Sequence, residues 1–238
     1  MSLLTTIQRF CERTNLPSPA TVIGTTDTQV LQAKALLEEI GIDAASRHTW
    51  TAMDFSVTHV TVALEDQGAM TTIAGGGWSY VKNMTIWDRT ATLPVLGPLD
   101  SVEWQALKAV IVTGPRFQFR IQNGHLLVNP APTAGSTWAF EYQSKYWILG
   151  ADGATYKQYF TLDTDTLLLP EELMLQGLRA WWKREKGLDY GEDMRMYETQ
   201  LKDAASRDGG KPVLHMDDSG WNGPKPGIWV PSGSWDLP

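Results

Sequence analysis

The spacing of the apolar residues changes twice along this 238-residue chain. Apolar residues recur every three or four positions in residues 1–50, at alternate positions in residues 51–168, and again every three or four positions in residues 169–210. The first repeat is typical of amphipathic helices, and the second is typical of half-buried strands. We therefore predict an α+β fold in which an antiparallel β-domain splits a helical module.

The N-terminal half of the helical module is predicted to hold two helices. The apolar side of the first is formed by Leu3, Leu4, Ile7, Phe10 and Cys11. Pro17 and Pro19 separate it from the second helix, because proline cannot continue a helix. The second begins at the capping pair Thr26–Asp27 and extends to about Ser46, although Gly41 weakens the prediction for its last turn.

The β-domain is predicted to be an antiparallel sandwich or a small barrel, because short alternating runs are separated by turn signals. The alternation is clearest in Val60–Leu64, Phe117–Ile121 and Trp138–Tyr142, each of which should bury one face. Asn123–Gly124 is the strongest short-range hairpin signal in the chain.

One helix is predicted to interrupt these strands. Asp100 and Glu103 have the spacing of a capping box at its start. Its apolar face is expected to contain Val102, Ala106 and Ala109.

Residues 169–210 carry the clearest helix signals. Pro170 and the acidic pair Glu171–Glu172 suit the start of one helix, and Gly187 suits its end. Its apolar face contains Leu173, Leu178, Trp181 and Trp182, and the stripe of the following helix contains Tyr190, Met194, Tyr197, Leu201 and Ala204. Because adjacent side chains on a helix point in different directions, either Trp181 or Trp182 is expected to contact the β-domain or a neighbouring subunit.

Residues 211–238 have no hydrophobic period and are rich in proline, glycine and tryptophan. We interpret them as an extended arm that docks on a partner, because large apolar anchors have no use in a merely solvated tail. The candidate partner-binding residues are Trp221, Trp229, Trp235, Pro224, Pro226 and Pro231.

Composition excludes several classes of protein. The chain has 20 Lys and Arg against 27 Asp and Glu, a net charge of −7 that argues against nonspecific phosphate binding. A single cysteine cannot close an intramolecular disulfide, which favours a reducing compartment. No apolar run is long enough for a membrane span, and the N-terminus lacks the features of a signal peptide.

No constellation of residues predicts catalysis, a cofactor or a metal. The four histidines have no second ligand at helical spacing, and Gly75–Gly77 is followed by tryptophan rather than by the residues of a phosphate loop. Asp163 and Asp165 would share a face if they lay in a strand, as two catalytic carboxylates or a metal pair require. A polar turn before the next helix is the plainer interpretation, so we predict a non-enzymatic protein.

Several segments carry a family resemblance. In the helical module they are Leu169–Leu173, Trp181–Lys183, Lys186–Tyr190, Tyr197–Glu198 and Arg207–Gly210. In the β-domain they are WDRT at 87–90, LGPLDSVEW at 96–104 and NPAPTAGSTWAFEY at 129–142. In type and order, these segments resemble the head-to-tail adaptor (connector) proteins of tailed bacteriophages.

The resemblance implies a structural virion protein at the head–tail junction, assembled in the cytoplasm of the host bacterium. Such adaptors form a ring, commonly a dodecamer, that binds the portal protein above and a tail, stopper or nozzle protein below. DNA passes through the lumen without sequence-specific binding, and no membrane or cofactor is involved. An acidic lumen would suit this role, because it repels phosphate and lets DNA slide during ejection.

Two other functions remain open from the residues alone. A carbohydrate-binding or receptor-binding β-module of a phage tail would use exposed tryptophans to stack on sugar rings. A hydrolase would use Asp163 and Asp165, and it would need a pocket in which the two carboxylates converge.

Overall fold

The structure is a computed structural model that describes residues 1–109 and 116–209. Its helices are α1 (Leu3–Thr14), α2 (Thr28–Arg47), α3 (Met70–Ile73), α4 (Ser101–Ala109), α5 (Glu171–Glu185) and α6 (Gly191–Arg207). Its strands are β1 (Asp54–Val60), β2 (Asp66–Ala69), β3 (Trp78–Val81), β4 (Trp87–Asp88), β5 (Leu93–Pro94), β6 (Gln118–Gln122), β7 (His125–Asn129), β8 (Thr137–Ser144), β9 (Ile148–Leu149), β10 (Tyr156–Lys157) and β11 (Thr166–Leu167). The predicted α+β class is confirmed, while the predicted arm lies outside the described residues.

The four long helices, α1, α2, α5 and α6, enclose one hydrophobic core. The start of α2 and the end of α5 occur at residues that the sequence indicates. The Asp27 carboxylate accepts a hydrogen bond from the Gln29 N–H at 2.8 Å and caps α2. Gly187 follows α5 with a φ of +67°, a conformation in which glycine has no steric cost. The two ends of the described chain therefore build a single helical module.

A small antiparallel sheet of β10, β9 and β11 belongs to the same core as the helices. Trp147, Ile148, Phe160 and Leu167 are all buried there among residues of α1, α2 and α5. This sheet lies within residues 51–168, the range that the sequence assigns to the β-domain. Because these residues are buried in the helical core, the chain from Trp147 onwards belongs to the helical module.

The β-domain consists of two antiparallel sheets around a second core. One sheet has the order β1-β8-β4-β5, with β3 also paired to β8, and the other has the order β2-β7-β6. Trp138 and Phe140 from the first sheet are buried with Phe119, Leu126 and Val128 from the second. Backbone hydrogen bonds between Leu96 and the start of β6 join the sheets on one side.

Two local predictions in the β-domain are confirmed. β6 and β7 form a hairpin whose turn residues, Asn123 and Gly124, have φ angles of +51° and +75°. Asp100 accepts a hydrogen bond from the Glu103 N–H at 2.7 Å, and Glu103 accepts one from the Asp100 N–H at 3.0 Å. These reciprocal bonds are the capping box predicted for α4.

Three packing predictions are wrong. Val60, Val62 and Leu64 are exposed, because β1 ends at Val60 and the chain then turns toward β2. Val102, Ala106 and Ala109 of α4 are exposed as well, and the buried residue of that helix is Trp104.

Trp181 and Trp182 are both buried in the helical core. The prediction that one of them contacts the β-domain or a neighbouring subunit is therefore wrong. Trp181 packs edge-on against Tyr197 of α6 with a centroid separation of 5.2 Å. Trp182 packs in the same manner against Phe10 of α1 at 5.3 Å. The α5 helix is covered on two adjacent sides, which accommodates both indoles.

Candidate functional site

The predicted partner-binding residues of the arm all lie outside the described residues. They are Trp221, Trp229, Trp235, Pro224, Pro226 and Pro231. The structure instead describes the place from which the arm departs and the exposed surfaces of the two modules.

The departure point is fixed by Asp208. Its carboxylate accepts hydrogen bonds from the Thr51 N–H at 2.8 Å and from the Thr51 hydroxyl at 2.6 Å, and it lies 3.2 Å from His48 Nε2. Burial alone would raise the pKa of Asp208, but the Thr51 hydrogen bonds and His48 outweigh it and lower that pKa. The chain after α6 is therefore tied to the loop between α2 and β1, where the two modules meet.

A cleft of about 530 Å³ lies at this junction. Its walls come from the end of α2, from β3 and from β8. The hydroxyls of Thr49 and Tyr80 are hydrogen-bonded at 2.6 Å across it. Gln143 is buried and donates to the Trp50 carbonyl at 3.1 Å, while its Oε1 has no hydrogen-bond partner among the described residues.

The helical wall of the cleft carries a paired arginine. Arg47 lies 2.9 Å from the Asp43 carboxylate and 2.6 Å from the Glu198 carboxylate, which links α2 to α6. Burial would lower the pKa of Arg47, but the hydrogen bonds that Arg47 donates to Glu198 and Asp43 raise it. The sequence gives no sign of this cleft, because its lining comes from distant segments that only the fold brings together.

The turn between α5 and α6 presents apolar side chains to solvent. Leu188 is 56% exposed and Tyr190 is 41% exposed, although the turn backbone is fixed by a 2.9 Å bond from the Leu188 N–H to the Lys183 carbonyl. The Lys186 ammonium lies 4.5 Å from the centre of the Trp182 ring, which holds the start of the turn against the core. We call Leu188 and Tyr190 the turn pair.

Asp193 sets the packing of α6 on α5 beneath this turn. It is 4% exposed, lies 3.1 Å from the Arg179 guanidinium and is paired with the Lys183 ammonium. The Gln176 amide also donates to it. Burial would raise the pKa of Asp193, but Lys183 and Arg179 outweigh that effect and lower the pKa.

The β-domain has an exposed aliphatic surface of its own. Val60 is 60% exposed, Val62 is 41% exposed and Leu64 is 63% exposed, and we call these three residues the aliphatic tip. Gln67 is buried beneath them and bonds to the N–H and carbonyl of Val62 and to the carbonyl of Leu64. The tip is therefore held in one conformation while its side chains face solvent.

Asp163 and Asp165 accept hydrogen bonds from different groups, most of them backbone N–H groups. Asp163 accepts hydrogen bonds from the N–H groups of Val22 and Ile23, the latter at 2.7 Å. Asp165 is fully buried and lies 2.9 Å from the Lys157 ammonium. Burial would raise the pKa of Asp165, but hydrogen bonds from the Thr161 N–H and from Lys157 lower it.

The described histidines also have separate surroundings. His125 lies 2.9 Å from the Asp66 carboxylate, His48 lies beside Asp208, and the Nε2 of His59 is buried without a hydrogen-bond partner in the described part of the chain. Residues 1–109 and 116–209 contain no group of three His, Cys, Asp or Glu side chains placed to hold a metal ion. Those same residues include no helix that combines the length and apolarity needed to cross a membrane.

The glycine run 75–77 leads into β3, whose pairing with β8 shifts register between Trp78 and Tyr80. A Cβ on Gly77 would lie 2.5 Å from the Tyr146 ring. Gly77 therefore allows a close approach of the chain to Tyr146 next to a bulge.

Comparison with known proteins adds no assignment. No protein-family model and no curated protein sequence matches the chain.

Proposed function

We propose that the protein is a non-enzymatic head-to-tail adaptor of a tailed bacteriophage. It forms a ring of twelve copies beneath the portal, joins the capsid vertex to the tail and surrounds the channel through which DNA leaves. The arm after Gly209 binds the portal or a neighbouring subunit.

The observation that carries the proposal is the turn pair. Lys186–Tyr190 belongs to the segments that resemble the adaptor family, and most of the other resembling segments of the helical module supply buried core residues or helix starts. Leu188 and Tyr190 instead face solvent on a backbone that is already ordered. Exposed apolar side chains on a rigid turn are typical of an assembly contact, because little conformational entropy is lost on binding.

The aliphatic tip gives the β-domain a second surface of the same kind. An adaptor has to contact neighbouring subunits, the portal and a tail protein, so it needs exposed apolar groups on more than one module. The turn pair lies on the helical module and the aliphatic tip lies on the β-domain. This distribution supports an assembly protein over a protein with one ligand pocket.

The direct test is to mix the purified full chain with the matching portal and to image the mixture by electron microscopy. We expect rings of the protein seated on the portal. Absence of any complex over a wide range of stoichiometries would contradict the proposal. A monomer in isolation would not, because assembly can be triggered by the portal.

A carbohydrate-binding or receptor-binding module is the second candidate, and a depression on the outer face of the five-stranded sheet favours it. The depression measures about 370 Å³, and Trp87, Arg89 and Glu141 are among its lining residues. An indole beside charged side chains suits a sugar ring. Titration with oligosaccharides should then change the tryptophan fluorescence, and Trp87→Ala should abolish that change.

A further inference from the structure

Four aromatic side chains and a run of three glycines line a small pocket where the two modules meet. The aromatic residues are Phe55, Tyr142, Tyr146 and Tyr156, the glycines are Gly75, Gly76 and Gly77, and Ala74 and Ser144 complete the lining. We call this site the aromatic pocket. Its volume of about 230 Å³ is smaller than the roughly 300–1,000 Å³ of sites that enclose a whole small molecule, so it suits a short part of a longer chain.

The aromatic rings of the pocket are positioned by strand pairing. Phe55 of β1 lies directly opposite Tyr142 of β8, and their ring centroids are 5.9 Å apart. Tyr156 of β10 packs edge-on against Phe55 with a centroid separation of 4.6 Å. The aromatic pocket therefore joins a sheet of the β-domain to the small sheet of the helical module.

The glycine side of the pocket is fixed as well. The Gly77 carbonyl accepts a hydrogen bond from the Lys145 N–H at 2.8 Å and another from the Ser144 hydroxyl at 3.1 Å. At Gly76, a Cβ would lie 3.2 Å from the Tyr146 hydroxyl oxygen. Because glycine has no side chain, this hydroxyl stays accessible from the glycine side.

The tyrosine hydroxyls of the pocket are unused donors. Those of Tyr142, Tyr146 and Tyr156 have no hydrogen-bond partner within residues 1–109 and 116–209, and none of the three is buried from solvent. Burial of the Tyr142 ring raises the pKa of that residue, so its hydroxyl keeps the proton that it can donate. A ligand that supplies carbonyl oxygens would satisfy these donors.

The described residues that line the aromatic pocket carry no charge. A cation or an anion bound there would have no counterion in the lining. A sugar ring would leave most of its hydroxyls unpaired, because the lining holds no carboxylate or amide side chain. The lining therefore favours an uncharged ligand that combines an apolar ring with carbonyl acceptors.

We propose that the aromatic pocket binds a proline-rich segment of a partner protein in the polyproline II conformation. A prolyl ring places an apolar surface against an aromatic ring, and proline has no N–H that would need an acceptor in the pocket. The carbonyl groups of a polyproline II helix make no internal hydrogen bonds, so they can accept from the tyrosine hydroxyls. Such a segment is preformed and loses little conformational entropy on binding to an aromatic-lined groove.

Binding of decaproline to the full chain tests the proposal. Decaproline forms a polyproline II helix, whereas a Gly-Ser peptide of equal length is flexible and has no rings. With both peptides labelled with fluorescein, we expect fluorescence anisotropy to show saturable binding of decaproline, at least about tenfold tighter than binding of the Gly-Ser peptide. Equal binding of the two peptides would overturn the proposal, and so would no binding of either.

Variants of the tyrosines locate the binding site. Tyr142→Phe with Tyr146→Phe and Tyr156→Phe keeps every ring but removes the hydroxyls, so decaproline should bind at least about tenfold more weakly. Tyr159→Phe is the control, because Tyr159 is 55% exposed and lies outside the pocket, and this variant should bind normally. If the triple variant binds as tightly as the unchanged chain, decaproline binds elsewhere and the assignment is wrong.

Truncation of one ring gives an independent readout. Tyr156→Ala should weaken decaproline binding at least about tenfold, as is usual for a tyrosine at the centre of an interface, and Tyr159→Ala should not. Unchanged binding by Tyr156→Ala would contradict the proposal. Melting temperatures of the two variants show whether a loss of binding comes from unfolding.

A peptide that carries trimethyllysine distinguishes a cation site, because aromatic cages also hold quaternary ammonium groups. If this peptide binds and decaproline does not, the aromatic pocket is a cation site and the proposal is wrong. None of these measurements involves a portal, so their outcome is independent of the adaptor proposal.

Discussion

Gly41 of α2 lies directly against the indole of Trp147, so that a Cβ on Gly41 would overlap the ring atoms. Both residues are buried in the core that α2 shares with β9 and α5. Glycine has a low helix propensity, but its lack of a side chain leaves room for the Trp147 indole.

Gly41→Ala is expected to lower the free energy of unfolding by about 1–3 kcal/mol, despite the higher helix propensity of alanine. Denaturant titration measures the change. The control is Gly191→Ala in α6, where the nearest atom lies 3.8 Å from the added Cβ and stability should not fall. Equal effects of the two substitutions would contradict the packing argument.

Asp193→Asn is expected to destabilise the protein by about 1–3 kcal/mol at pH 7, because it leaves Arg179 and Lys183 without their buried counterion. We expect a destabilisation near the lower end of this range, since the Arg179 and Lys183 side chains are 47% and 30% exposed and remain partly hydrated. The measurement is denaturant unfolding at a series of pH values.

The pH dependence of this effect follows from the lowered pKa of Asp193. The carboxylate stabilises the fold above its unfolded pKa of about 3.9, and the contribution is lost as the pH falls through the lower folded pKa. The difference between the two proteins should therefore narrow in acid. Glu192→Gln, at an exposed pair with Arg195, should change the stability and its pH dependence much less than Asp193→Asn does.

Gly124→Ala is expected to destabilise the β6–β7 hairpin by about 1 kcal/mol, because the φ of +75° is unfavourable for alanine. Space is not the cause, since no atom lies within 4 Å of a Cβ at this position. Gly124→Asn should cost less, because asparagine tolerates this conformation. Thermal unfolding of the two variants measures the difference in stability. If Gly124→Asn lowers the stability more than Gly124→Ala does, the backbone conformation is not the cause.

Leu188→Ala with Tyr190→Ala is expected to weaken ring formation on the portal at least about tenfold. Leu188 and Tyr190 are 56% and 41% exposed, so their truncation should lower the melting temperature no more than Leu31→Ala does. Leu31→Ala serves as the control, because Leu31 is also half-exposed but lies on α2. If the double variant forms normal rings on the portal, the turn pair is not an assembly contact.

Trp229→Ala and Trp235→Ala are expected to weaken portal binding unequally, as is usual for anchors in an interface. A binding titration by light scattering or fluorescence anisotropy measures the two constants. Ser232→Ala, between them in sequence, should bind normally. If both tryptophan variants bind as tightly as the unchanged chain, these two residues of the arm do not dock on the portal.

Local signals along the chain predict the helices and the hairpin well, because each depends on residues that are neighbours in sequence. The Asp27 cap, the Asp100–Glu103 capping box and the Asn123–Gly124 turn all occur where the residues indicate. The period of the apolar residues also identifies the buried faces of α1 and α5, and that of α6 from Met194 onwards. The prediction is wrong for Tyr190, which precedes α6 and is 41% exposed.

Packing between distant segments is where prediction from sequence fails. Val60, Val62 and Leu64 alternate as in a half-buried strand, but no element covers them in the described residues. Trp147 follows β8 directly yet belongs to the other core. The junction cleft likewise depends on which segments meet, and a hydrophobic period does not contain that information.

The division of the helical module between the two ends of the chain has a consequence during synthesis. The core of the β-domain is complete once β8 has left the ribosome, because its buried residues extend only from Met70 to Phe140. α1 and α2 emerge first but lack Trp147 and all of α5 and α6, against which they pack. The β-domain is therefore expected to fold on the nascent chain before α1 and α2 can complete their core. Chaperones have access to the apolar faces of these two helices until α5 and α6 have emerged.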